Sequence, residues 1–380
     1  MEINKDLLKI WCENHFDEQL ALLKELAAIP SPSHHEEKRA AFIRDWLVRE
    51  GAGDVRIDDT CNVVLPFGCG GRNDIRVYMA HTDVVFPDTE PLPVREADGF
   101  LYAPGVGDDT ANVVALMMCA KFILSHKLRS KEPVLIVFNS CEEGLGNLKG
   151  VRQIMADYDS RVKELVSFDG QYTSIVNRAV GSERWRVAVK TCGGHSYGAF
   201  GNPNAVAHLA ALIGKLYSQP TPQDPGQKTT YNVGTIQGGT SVNTIAQNAE
   251  MTYEYRSDSF ACLQQMRHQF LALVEEANCS DASFELTLLG ERPCGNTVPE
   301  DAEQQLLDRC SQVITEITGK QPFLRSSSTD ANIPLSLGIP AATFGLYLGA
   351  RSHTREEYVD ISSLTTGLNI GLLILADSFE

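Results

Sequence analysis

The chain has 380 residues, more than one simple hydrophobic core needs, so two domains are expected. Apolar residues make up 43% and charged residues 22%, as in ordinary globular proteins, and no run reaches the ~18–20 consecutive apolar residues of a membrane span. The net charge of −16 argues against a nucleic-acid partner, because phosphate binding needs clustered Lys and Arg. The N-terminus, Met-Glu-Ile-Asn-Lys-Asp, has no basic region followed by an apolar stretch. No signal peptide is therefore expected, and the cytoplasm is the expected compartment. The 10 cysteines form no CxxC pair and read as small buried hydrophobes rather than thiolate ligands.

Residues 5–28 carry apolar side chains at helical spacing, from Leu7 and Trp11 to Leu26, and predict one amphipathic helix. Ile29-Pro30-Ser31-Pro32-Ser33 stops it, since proline disfavours helix in the preceding residue. A helix at about 35–50 follows, then a strand at 75–79 leading to His81-Thr82-Asp83. An apolar helix is predicted over 110–128, an apolar strand over 133–138, a helix near 147–157 and a strand over 164–168 that ends at Asp169. Strands and helices alternating in this way make βαβ units and a buried sheet, parallel at least in part. The pattern changes near residue 183. A strand at 185–191, a Gly-rich loop, a helix at 205–216, strands at 230–236 and 249–256, a helix at 259–277 and a strand at 283–289 suggest an α+β unit with an antiparallel sheet. Helix 302–318 and strand 341–345 then complete the first domain. The expected division is 1–183 with 293–380, and 184–292 inserted between them, with glycine-containing junctions near 181 and 290–295 as hinges.

The adjacent pair Glu142-Glu143, directly after an apolar strand, is the most informative feature. Like charges so close destabilise each other unless a cation or a shared proton intervenes. Other ionisable residues also sit at strand ends or in loops, where open α/β sheets place their sites. His81 and Asp83 are two apart at a strand end, so Asp83 can orient the imidazole as a carboxylate partner. Asp108-Asp109 precedes a helix, where one aspartate could bridge two metals and Asp109 could instead cap the helix. Asp169 ends a strand, and His353 lies in a late loop. Each has an ordinary alternative: a polar surface histidine, a helix cap, a solvated helix start, or a turn at Asp169-Gly170.

His81-Thr82-Asp83-Val84-Val85, Tyr102-Ala103-Pro104-Gly105-Val106-Gly107-Asp108-Asp109 and Glu142-Glu143-Gly144 together resemble the M20 family of dinuclear zinc metallopeptidases. That family includes peptidase T, carboxypeptidase G2 and acetylornithine deacetylase. The resemblance continues through Ser167-Phe168-Asp169-Gly170, Gly193-Gly194-His195-Ser196, Ser328-Thr329-Asp330-Ala331 and His353–Asp360, covering nearly the whole chain in order. It implies an α/β zinc-exopeptidase-like catalytic domain with a mixed, largely parallel sheet flanked by helices. It also implies an inserted α+β lid or dimerisation domain with an antiparallel sheet, and admits a homodimer through that domain. Two Zn²⁺ are implied, with Co²⁺ or Mn²⁺ as substitutes. His81 and Asp169 would hold one ion, Glu143 and His353 the other, and Asp108 would bridge them. Glu142 would be the general base and later acid, Asp83 would orient His81, and His195 would help polarise the substrate carbonyl. Asn243 and Arg256 match substrate-contacting positions, though without the resemblance the 192–198 loop reads as flexible and Arg256 equally as a salt-bridge partner.

The resemblance implies cleavage of small peptides by an exopeptidase of the aminopeptidase or dipeptidase type, since Asp at 169 is similar to the peptidase T type of that family, whereas Glu is more usual in its carboxypeptidases and deacylases. The alternatives are an N-acyl amino acid amidohydrolase of the deacetylase or desuccinylase type, and a non-catalytic binding protein on the same fold. Neither a nucleic acid nor a membrane is an expected partner. Ser327-Ser328 stands where many relatives have Gly-Gly, which bears on the size of the pocket.

Overall fold

The computed structural model describes residues 5–295 and 297–380. Residues 1–4, part of the stretch read above for a leader, lie outside it. The helices are α1 (Lys5–Asn14), α2 (Phe16–Ala27), α3 (Glu37–Arg49), α4 (Asn112–Ser125), α5 (Lys149–Tyr158), α6 (Ala205–Ser218), α7 (Phe260–Ala277), α8 (Glu300–Thr318), α9 (Asn332–Ser336) and α10 (Leu364–Ala376). The strands of the two main sheets are β1 (Arg56–Ile57), β2 (Val63–Phe67), β3 (Ile75–His81), β4 (Val134–Asn139), β5 (Val162–Ser167), β6 (Ser174–Ala179), β7 (Gly181–Lys190), β8 (Thr229–Gly238), β9 (Asn248–Ser257), β10 (Ser283–Arg292), β11 (Phe323–Ser327) and β12 (Ala341–Thr343). The chain divides into two compact units, Met1–Arg178 with Asn296–Glu380, and Ala179–Gly295.

The first unit is built on an eight-stranded sheet in the order β1-β2-β4-β3-β5-β12-β6-β11. Its centre, β4-β3-β5-β12, is parallel, while β1-β2, β2-β4 and β12-β6 pair antiparallel. β4 is buried along its whole length, as its unbroken apolar run requires. α4 is buried on nearly every side and packs against α10, which in turn meets α1 and α8.

Two predicted helices differ from expectation. The one expected over 5–28 breaks at His15, whose ring Nδ1 lies 2.8 Å from the Trp11 carbonyl and whose own N–H also uses that carbonyl. The Trp11 and His15 rings stack with centroids 4.0 Å apart, and the backbone leaves helical geometry there. The helix expected from residue 110 begins at Asn112. Asp108 and Asp109 have non-helical angles and share a cis peptide bond, and they sit in an irregular turn.

The second unit is a four-stranded antiparallel sheet, β8-β9-β7-β10. Period-two alternation sends Trp185, Val187 and Val189 of β7 and Met251, Tyr253 and Tyr255 of β9 into one core with Leu209 and Leu212 of α6 and Phe270 of α7. Asn204 caps α6 by accepting from the backbone of Val206 and Ala207, and Ser259 caps α7 by accepting from Cys262. A short ribbon pairs Gly194–His195 with Thr244–Ile245.

Candidate metal centre

Parallel pairing decides where the site forms. β4 and β5 flank β3 in parallel register, with His81 opposite Asn139 and Met79 opposite Ser167. The three strands therefore end on one edge of the sheet. There His81 closes β3, Glu142-Glu143 follow β4 by a few residues, and Asp169 follows β5. The Asp169 N–H bonds the Phe344 carbonyl at 3.1 Å. Only glycine fits at 345, because a Cβ there would lie 1.6 Å from the Gly170 carbonyl oxygen.

Among the described residues, three sets of side chains offer ligand atoms lying within 4.8 Å of one another: His81, Asp108, Asp109 and Asp169; His81, Glu142 and Glu143; and Asp108, Glu143 and His353. Shared members join them into one cluster. Asp108 stands between two imidazoles, with Oδ1 3.2 Å from His81 Nε2 and Oδ2 3.3 Å from His353 Nε2. His353 Nε2 also lies 3.0 Å from Glu143 Oε1. Two unit charges ~4 Å apart interact by about 4 kcal/mol at a protein-like dielectric, so this many buried carboxylates cannot all stay ionised without a compensating cation.

The electrostatics follow that constraint. Burial, then the charges of Asp108 and Glu142, pushes Glu143 up to about 7. Burial and Asp108 raise Asp169 well above the carboxylate range. Burial raises Asp109 likewise, with Asp169 and Asp108 adding to the effect. Hydrogen bonds to Asp108 and Glu143 raise His353 to about 11. Burial opposes a charge on His81, but Asp109, Asp108 and Asp83 together raise its pKa well above the ordinary imidazole value. Asp108 is held low against its burial by the two histidines.

Several carboxylates build the centre without joining the expected ligand set. Asp83 accepts the backbone N–H of Glu142 at 3.0 Å and of Glu143 at 2.9 Å, and its Oδ1 lies 3.4 Å from His81 Nδ1. Its carboxylate therefore aims the Glu-Glu turn, while its backbone carbonyl, 3.1 Å from His81 Nδ1, is the hydrogen-bond partner of the imidazole. Asp109 does not cap α4. Its Oδ2 accepts the His81 N–H at 2.9 Å and its Oδ1 accepts from Asn112 Nδ2. Glu357 accepts from the backbones of Gly105, Gly107 and Asp108 at 2.7–3.0 Å and so sets the loop that carries Asp108. Burial, with Asp108 contributing, raises Glu357 to about 8. Asp330 accepts from Asn139 Nδ2 at 2.7 Å, and burial next to the Glu142 charge raises it to about 7. Asp330 and Glu357 lie inside motifs quoted above, but nothing in their local sequence tells them from surface acids.

The remaining predicted residues lie in the second unit. His195, on the short ribbon, accepts the N–H groups of Tyr197 and Gly198 at Nδ1, which assigns the proton of its neutral ring to Nε2. Asn243 is close by on the same ribbon, its carbonyl accepting from Ser196 N at 2.9 Å. Arg256 makes a two-pronged ion pair with Glu254, at 3.1 and 3.0 Å.

The first-unit cluster fits a pair of cations. Among the described residues the fully buried His81 Nε2 has no well-formed hydrogen bond, and it faces the carboxylates with Asp108 Oδ1 3.2 Å away. The donors are nitrogen and oxygen throughout, with one carboxylate between two imidazoles. An α/β unit with such a cluster at the C-terminal edge of its parallel strands has the architecture of a metal-dependent hydrolase. The chain belongs to peptidase family M20/M25/M40, whose model matches residues 77–377. It is a hydrolase acting on peptide or amide C–N bonds. It is similar to the acetylornithine deacetylase of Myxococcus xanthus, 24% identical over 327 residues that cover 82% of each chain. The crystal structure of aminopeptidase PepT from Bacillus cereus superposes with a TM-score of 0.72 at 18% identity, covering 96% of this chain and 98% of that one. The YXEP protein of Bacillus subtilis, a dinuclear metal-binding peptidase of the M20 family, gives 0.64 at 16% identity over 96% and 98%.

Proposed function

We propose that the protein is a dizinc exopeptidase of small peptides, of the aminopeptidase or dipeptidase type. The observation that carries this is the Asp108 carboxylate set between His81 and His353, each imidazole within 3.3 Å. In this reading His81 and Asp169 hold one ion, Glu143 and His353 the other, and Asp108 serves both. Two divalent cations bound there would supply Lewis acidity toward the scissile carbonyl and the attacking water. An all N/O donor set suits Zn²⁺, with Co²⁺ or Mn²⁺ as replacements.

Glu142 takes the water proton and returns it to the leaving amine. Its backbone is held by Asp83, and its side chain is buried beside the ligands. Asp83 acts through His81 and the Glu-Glu turn and is a positioning residue. His195 can donate from Nε2 to the carbonyl oxygen. Asn243 and Arg256 contact the substrate, Arg256 sharing its guanidinium between Glu254 and a substrate carboxylate. The second unit acts as a lid and as the surface through which two copies pair, and the compartment is the cytoplasm. Ser327 and Ser328, next to the buried Thr329-Asp330, bear on substrate size.

A second reading, an amidohydrolase of N-acyl amino acids, is favoured by the similarity to the M. xanthus deacetylase over 82% of the chain. Di- and tripeptides assayed against N-acetyl and N-succinyl amino acids, with Zn²⁺, Co²⁺ and Mn²⁺, separate the two. Turnover that requires a free α-amine supports the peptidase, and faster turnover of blocked substrates overturns it. Metal analysis that finds no divalent ion, with any hydrolysis left unchanged in Glu142→Ala, would overturn the dizinc reading and favour a binding role on the same fold.

A further inference from the structure

The segment Ser31–Arg39 precedes residues 77–377, the part matched by the family model, and its sequence reads only as a helix stop followed by a helix start. In the fold it touches three of the loops that carry the metal centre. The Ser31 carbonyl accepts from Val84 N at 2.9 Å, and Pro32 bridges to Val84 in parallel. Ser33 Oγ lies 2.6 Å from Asp83 Oδ2 and 3.3 Å from the Glu143 carbonyl, which links the loop after β3 to the loop after β4. Glu36, buried, accepts the Cys141 N–H at 3.0 Å and the His34 N–H at 3.0 Å through the same oxygen. Arg39 is fully buried. Its Nη1 donates to the Thr82 carbonyl at 3.1 Å and to Thr110 Oγ1 at 3.0 Å, and its Nε donates to the Ile29 carbonyl at 2.9 Å. Thr110 in turn donates to the Gly105 carbonyl, at the start of the Asp108 turn.

Resting on the dinuclear reading above, we propose that Ser33, Glu36 and Arg39 are the positioning residues of the metal centre. Arg39 ties the His81–Asp83 loop to the Asp108–Thr110 turn, and Glu36 with Ser33 ties the Glu142-Glu143 turn to the same frame. The geometry supports this more specifically than a generic core role. All three reach backbone or side-chain atoms within two residues of a proposed ligand or base, and each reaches a different loop or pair of loops. A guanidinium is suited to Arg39's place because its planar fork serves several acceptors at once, whereas an ammonium serves them as a point charge.

The test compares Arg39→Lys, Thr110→Val and Glu36→Leu, which removes the shared acceptor, with Tyr78→Phe. The Tyr78 hydroxyl lies 3.3 Å from the Ile374 carbonyl and 3.3 Å from Ser378 Oγ, away from the site. Metal retention is read by mass spectrometry across a chelator series using Zn²⁺-loaded protein, alongside the thermal midpoint. In the three site variants the chelator concentration for half loss of metal is expected to fall about 10- to 100-fold, as for partners that orient ligands. In Tyr78→Phe only the midpoint should fall. If all four variants lose stability alike and hold metal as the parent does, the positioning role is wrong and the dinuclear reading stands. If the parent itself takes up no divalent metal, both are wrong. Because Arg39→Lys keeps the charge and Thr110→Val keeps the shape, misfolding of one variant leaves the other to decide.

Discussion

Asp83→Asn is the sharpest test of the centre's architecture. The Asp83 carboxylate is fully buried and accepts three donors: Glu142 N at 3.0 Å, Glu143 N at 2.9 Å and Ser33 Oγ at 2.6 Å. Burial opposes its charge, yet His81 and these donors hold its pKa below the ordinary value. An amide has one oxygen where the carboxylate has two, so in either orientation its NH₂ faces a backbone N–H. One buried donor is then unsatisfied, at about 1–3 kcal/mol, and the other bonds lose charge assistance worth about 1 kcal/mol each. The total is about 3–5 kcal/mol, and the turn it loosens carries the proposed base and a proposed ligand. The expected result is a first unit several degrees less heat-stable together with weaker metal retention, measured by scanning calorimetry with and without Zn²⁺ and by metal analysis after chelator dialysis. A variant with the parent's thermogram and the parent's metal content would refute the assignment of Asp83 as the frame of the Glu-Glu turn.

Glu142→Gln should keep its metal and lose about 10²–10⁴ in kcat, while Glu143→Gln should lose metal; metal analysis beside single-substrate kinetics separates the two. Asp330 is raised to about 7, so in the metal-free protein its ionisation destabilises the fold. The unfolded carboxyl titrates near ~3.9, so this stability is full below that pH and is lost as pH rises toward 7. Asp330→Asn should flatten that slope in urea titrations run between those limits, and an unchanged slope would remove Asp330 from the account. Phe270→Ala, in the fully buried core of the second unit, should cost about 3–5 kcal/mol by chemical denaturation. A cost near zero would mean that α7 is not held to the sheet through Phe270.

Much of the site could be read from the sequence because its chemistry sits beside strong local signals. His81, Glu142-Glu143 and Asp169 each follow an apolar run, and parallel strands must bring such ends together. What could not be read depended on long-range pairing. Glu357 bonds the backbone of Asp108 from 249 residues away, and Asp330 bonds Asn139 from 191 residues away. Arg39 reaches Thr110 across 71 residues. No local pattern separates these residues from solvated charges. The break at His15 leaves no mark in the sequence pattern, because apolar periodicity continues across it while the side chain engages the Trp11 carbonyl.

The strand ends and the residue types placed there are legible in the chain alone, because burial along a strand and side-chain chemistry are local properties. Which carboxylate faces an imidazole, which accepts backbone N–H groups and which is pushed toward its protonated form are settled in three dimensions. Those assignments depend on distance, burial and neighbouring charge, and each comes from segments far apart in the chain.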